Sequence, residues 1–92
     1  MISMKQLEDA LCSKGRLRVL RELSRGEPLS MYMLERKTGI RSRYLKADVQ
    51  YLIKIGWILR VGDRIVKFQL NYENELVNKT LQFLASIGYM QN

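Results

Sequence analysis

The stretch TGIRSRYLKADVQYLIKIGW, Thr38 to Trp57, concentrates side chains that can hold a polyanion and read it. Arg43 carries a planar fork of donors that matches the paired acceptors of a guanine edge, and Gln50 offers the donor–acceptor pair that matches adenine. Arg41 and Lys46 suit phosphate oxygens better than base edges. Ala47 is small enough to let a helix approach a groove closely. Tyr44 combines a hydroxyl suited to phosphate with a ring that would equally well flank a core. Ser42 stands where a helix N-cap belongs, because its hydroxyl can accept an orphan amide of the first turn. Asp48 is the odd residue. It could accept from a cytosine amine, tether Arg41 or Arg43, or weaken binding by repelling phosphate.

The charge around this stretch is one-sided. From Arg36 to Lys67 there are nine bases (Arg36, Lys37, Arg41, Arg43, Lys46, Lys54, Arg60, Arg64 and Lys67) against Asp48 and Asp63. That surplus equals the net charge of the whole chain, +7, so the remainder is neutral. In that remainder Arg16, Arg18, Arg21 and Arg25 read as surface, balanced by Glu8, Asp9, Glu22 and Glu27. A solubility charge would be scattered. Confinement to about a third of the chain marks a surface that meets a polyanion.

Other chemistries fall to simple counting. The 92 residues include no histidine and one cysteine. This excludes histidine-based catalysis, Cys/His zinc sites and a disulfide within the chain. No phosphate loop or nucleophile–base pair is present, so the chain reads as a non-enzyme with no cofactor and no metal. No apolar run approaches the roughly 18 residues of a membrane span. The start, MISMKQLEDA, is too charged for a secretory signal, and the chain reads as cytoplasmic with no membrane partner. Cys12 is open to two readings: a small hydrophobe, or half of an intersubunit disulfide.

Apolar periodicity supplies the elements that must position these groups. Leu7, Ala10 and Leu11 suit a helix from Ser3 to Leu11. Leu17, Val19, Leu20 and Leu23 mark a second, capped by Ser13 and closed near Gly26 and Pro28. A short third helix starts at Ser30, carries Met31 and Leu34 inward and ends before Gly39. The fourth, 42–55, buries Leu45, Val49, Leu52 and Ile53, so 30–55 reads as helix-turn-helix. The period then drops to two. WILRVGDRIVKFQL, 57–70, predicts two strands about a tight Gly62-Asp63 turn, with Leu59 opposite Val66 and Trp57 opposite Phe68. That register covers Trp57, Leu59, Val66, Phe68 and Leu70. It leaves Arg60 and Lys67 on the other face and Arg64 at the tip, for phosphate or minor-groove contact or as charges that guard a strand edge. A last helix, 75–87, is apolar on more than one side. Either its core face is wide, or it forms a homodimer interface with the first helix through Leu7, Leu11, Leu76, Leu81, Leu84 and Ile87.

This order of elements is the winged helix: α+β, mostly α, with a two-stranded wing and a C-terminal helix, in one domain over 1–92. Residues 10–84 also resemble ArsR-type winged-helix transcription regulators, especially small archaeal ones. The resemblance rests on Arg16 to Leu20, on Gly39-Ile40, on Val49, Leu52, Gly56 and Trp57, and on Phe68 to Asn71. It implies a homodimer that binds operator DNA with the fourth helix of each subunit. Metal-sensing members carry cysteines in the third helix or carboxylates and histidines in the last. Here the third helix reads SMYMLER and the chain lacks histidine, so metal sensing does not carry over. The resulting expectation is a sequence-specific regulator of double-stranded DNA. A nonspecific architectural DNA binder and a winged-helix module for protein interaction are the alternatives. The sequence specifies no effector.

Overall fold

A computed structural model describes residues 4–90, and it contains five helices and one hairpin in that span. In chain order these are α1 (Met4–Leu11), α2 (Lys14–Leu23), α3 (Met31–Thr38), α4 (Ser42–Lys54), β1 (Ile58–Val61), β2 (Lys67–Leu70) and α5 (Glu75–Ser86). Ser3, the predicted start of the first helix, lies outside the described residues. Helix α2 is central and packs on α1, α3, α4 and β2. Its Val19, Leu20 and Leu23 meet Leu34 of α3, Leu45, Val49 and Leu52 of α4, and Trp57, Ile58 and Leu70 in one buried cluster. Full burial of each such side chain contributes about 1.5–3 kcal/mol.

Short-range signals set most helix ends. Ser13 Oγ accepts from Arg16 N at 3.1 Å and Ser30 Oγ from Met33 N at 3.2 Å, as the sequence predicts. Asn74 Oδ1 accepts from Leu76 N at 2.9 Å and Val77 N at 3.3 Å, and so starts α5. Helix α4 closes at Gly56, with Trp57 N donating to Leu52 O and Gly56 N to Ile53 O, the paired bonds of a Schellman cap. Asn71 and Asn74 donate to the Gly56 carbonyl at 2.9 and 3.2 Å, which ties the far end of the hairpin to the end of α4.

The hairpin differs from the predicted one. Ile58 pairs with Leu70, Leu59 with Gln69, Arg60 with Phe68 and Val61 with Lys67, so the loop spans 62–66 rather than two residues. The core selects this register. Trp57 and Ile58 are both buried, which starts the inward parity of β1 at Ile58, and a slip of parity moves every side chain to the other face. Leu59 and Val66 therefore stand exposed, at 41% and 45%. Gly62 takes φ +98°, and the loop folds back so tightly that a Cβ there would lie 2.3 Å from Ile65 O. Leu29 exchanges both backbone bonds with Phe68, at 3.0 and 2.8 Å, and so flanks β2 on its other side. This anchors the hairpin to the α2–α3 connection.

Candidate nucleic-acid interface

The turn between α3 and α4 is held from three directions. Thr38, buried, donates from Oγ1 to Leu34 O at 2.7 Å and accepts from Ile40 N at 3.2 Å. Arg18 of α2 donates to Thr38 O at 2.8 Å, capping the carbonyl end of α3. The Glu35 carboxylate accepts from Ser42 N, the first amide of α4. Ser42 is therefore not the cap. The N-cap position is Arg41, whose own side chain makes no capping bond among the described residues, and Glu35 supplies the acceptor across the turn.

With α4 fixed in this way, Leu45, Val49 and Leu52 are fully buried and the opposite face is open. Arg41, Arg43, Tyr44, Lys46, Ala47 and Gln50 are all exposed, and Ser42 is half-buried. Residues 43, 47 and 50 recur at the spacing of one helix face. Arg43 Nη2 donates to Tyr44 Oη at 2.7 Å, and its guanidinium lies 4.7 Å from the centre of that ring. The pair orders the arginine fork beside the open face.

Among the described residues Asp48 tethers neither Arg41 nor Arg43. It bonds Arg16 of α2, Nε to Oδ1 at 3.1 Å, and takes no part in the open face. Arg16 also donates to Asp9 O, and its guanidinium lies 4.3 Å from the Tyr51 ring. Tyr51 Oη in turn donates to Asp9 Oδ2 at 2.9 Å. Burial and the Asp9 bond push the Tyr51 phenol above its ordinary pKa. Arg16 and Arg18 are thus ties within the fold rather than the solvated surface read from the sequence. Arg21 and Arg25 pair with the buried Glu22 at 3.5 and 3.2 Å.

The hairpin register also moves Arg60. As the cross-strand partner of Phe68 it shares the inward face. With Lys46 and Gln50 it rims a groove of about 260 Å³ floored by Met31, Val49 and Phe68. Lys67 is on the outer face opposite Val61, and Arg64 is exposed in the 62–66 loop beside Ile65, itself 63% exposed. The basic residues of the hairpin therefore occupy two faces and the tip.

A separate apolar cleft of about 340 Å³ runs between α1 and α5, lined by Leu7, Leu11, Leu76, Lys79, Thr80 and Phe83. It brings together three of the six residues assigned to a dimer seam. Of the others, Leu84 is buried in the core, Leu81 lies beside Met90 on another side of α5, and Ile87 is exposed beyond its end. Phe83, 58% exposed, belongs to this cleft and was missing from the predicted set, although its place in the i, i+4, i+7 series with Leu76 and Thr80 could have found it. Cys12 is exposed and unpaired to any described cysteine, with Arg16 Nη1 3.4 Å from its sulfur. Among the described residues no group of His, Cys, Asp and Glu could hold a metal ion, and no helix is long and apolar enough to cross a membrane.

No protein-family model and no curated protein sequence matches the chain. Solved structures do. The predicted DNA-binding transcriptional regulator from E. coli is similar with a TM-score of 0.74 and 26% identity, over 90% of this chain and 86% of that one. NolR from Sinorhizobium fredii is similar with a TM-score of 0.79 and 19% identity, over 95% and 85%. The fold is a winged helix-turn-helix. The MarR family transcriptional regulator SPO1453 from Silicibacter pomeroyi DSS-3 has it too, with a TM-score of 0.69 and 18% identity, over 90% of this chain and 64% of that one. In winged-helix terms α4 is the second helix of the helix-turn-helix, β1–β2 is the wing, and the groove rimmed by Lys46, Gln50 and Arg60 lies between them.

Proposed function

We propose that this chain is a sequence-specific regulator of transcription that binds double-stranded DNA, with 1–92 acting as one winged-helix domain. The observation that carries the reading is the open face of the recognition helix. Arg43, Lys46, Ala47 and Gln50 are exposed opposite Leu45, Val49 and Leu52, inside the window that holds the whole charge surplus. A helix of this kind enters the major groove with its first turns and reads base edges there. Arg43 and Gln50 supply the readout, with Ala47 allowing close approach. Arg41, Ser42, Tyr44 and Lys46 hold the phosphates beside it. On the wing, Arg64 and Lys67 take the backbone or the minor groove. Arg60 acts from the groove beside Lys46, next to the recognition helix.

The reading extends to a homodimer of the ArsR-like type that the sequence resembles, in its small archaeal form. Two copies joined through the α1–α5 cleft would present two recognition helices to half-sites about one helical turn apart. The similar E. coli and Silicibacter chains are described as transcriptional regulators, which supports a regulatory rather than an enzymatic role. Selection of bound duplexes from a random pool tests the proposal. It predicts a recurring, roughly palindromic site. A recovered pool without consensus would instead identify a nonspecific architectural binder, and no recovered DNA would point to a protein-interaction module.

A further inference from the structure

Asp48 is the one acid in α4, and an acid on a surface that meets phosphate lowers affinity. Its carboxylate is turned toward α2. Oδ1 accepts from Arg16 Nε at 3.1 Å and from Ser13 Oγ at 3.4 Å, and the Arg16 and Asp48 side chains are only 18% and 17% exposed. Oδ2 lies over Gly15, where a Cβ would stand 2.2 Å from it. Ser13 caps α2 and Gly15 belongs to its first turn, so the carboxylate also rests against the positive end of that helix. Two sources of positive potential converge on one acid. Arg16 is itself held in place by Asp9 and by the Tyr51 ring.

We propose that Arg16 is a positioning residue for DNA binding: it draws the Asp48 carboxylate against α2, which removes the only negative charge of the recognition helix from the DNA-facing surface. The proposal rests on the regulator reading above. Asp48 lies one turn on from Tyr44, a residue assigned above to the flanking phosphates, so a carboxylate released from Arg16 leaves an uncompensated negative charge at the edge of the surface those phosphates meet. There it would cancel about one of the protein's cationic contacts. A purely structural Arg16 would behave differently: its loss would lower stability, which Asp48→Asn could also relieve, but it would leave the salt slope of DNA binding unchanged.

The test measures affinity and salt dependence on a selected duplex for wild type, Arg16→Gln, Arg16→Lys, Asp48→Asn and Arg16→Gln/Asp48→Asn, with folding checked by circular dichroism. Arg16→Gln should bind on the order of tenfold more weakly, as like charges brought together at an interface do. Its salt slope should fall by about 0.9, the value of one contact. Arg16→Lys, Asp48→Asn and the double variant should all bind within about threefold of wild type, because each leaves no uncompensated acid. A double variant as weak as Arg16→Gln, an Arg16→Gln protein that binds like wild type, or weaker binding with an unchanged salt slope overturns the proposal. Should Arg16→Gln fail to fold, Gly15→Ala displaces the same carboxylate while leaving Arg16 intact. It should bind more weakly and be rescued by Asp48→Asn, and absence of rescue again overturns the idea. A wild-type chain that retains no DNA refutes the regulator reading itself, a result separate from any pattern among the variants.

Discussion

The Glu35 carboxylate of α3 accepts the Ser42 backbone N–H, so the helix that carries the open basic face is capped by the helix before it. The bond makes the α3–α4 angle part of the cap. Glu35→Ala should destabilise the fold by about 1–2 kcal/mol, the usual loss for a removed N-cap acceptor. Glu35→Gln should lose less, because it retains an oxygen acceptor. Urea denaturation measures both, and equal midpoints for Glu35→Ala and wild type would show that the cap contributes nothing.

Reader and anchor residues should separate in DNA binding. Arg43→Ala should relax discrimination at one base position, by about 1–3 kcal/mol, and leave other positions as they were. Arg64→Ala should weaken all sequences alike and lower the salt slope by about 0.9. Titrations on single-base variants of a selected site, repeated at several salt concentrations, distinguish the two. Identical behaviour of the two variants would refute the division of roles.

The wing loop depends on the one residue that permits it. Gly62 combines a positive φ with the close approach of Ile65 O, so Gly62→Ala should lower stability by about 1–3 kcal/mol. Asp63→Ala, one residue on in the exposed loop, should stay within about 0.5 kcal/mol of wild type. Thermal melts of both variants check this. A Gly62→Ala protein as stable as wild type would mean that the loop does not fold back in this way.

These cases mark how far the sequence could be read. Ser13 and Ser30 cap their helices as predicted because the donor and acceptor lie within three residues of each other. The apolar stripe of Leu45, Val49 and Leu52 was equally legible, since its period is local. Ser42 misled because the true acceptor, Glu35, belongs to another helix. The wing register failed because burial of Ile58 beside Trp57, not the turn dipeptide, sets strand parity. Asp48 could not be assigned from its neighbours, because its partner Arg16 lies 32 residues away in sequence. Charge clustering singled out the stretch whose basic residues stand exposed on α4, but it could not show that Arg60 lines the same groove as Lys46.

The α1–α5 cleft and the core beneath it should respond differently to substitution. Phe83→Asp should shift a dimer to monomer while leaving the monomer folded, because Phe83 is largely exposed at the cleft. Leu84→Ala, one residue further into the core, should cost about 2–5 kcal/mol whatever the oligomeric state. Light scattering coupled to size exclusion, alongside denaturation, reads both. A Phe83→Asp protein of unchanged mass would remove the cleft from the dimer interface.

Helix α4 is expected to read sequence rather than only to neutralise phosphate. Competition at fixed salt between a selected duplex and random DNA tests it most directly. A preference of at least about 10³-fold for the selected site, the lower end for specific regulators, is the predicted result. A ratio near one, with binding that falls steeply as salt rises, would show that α4 only neutralises phosphate.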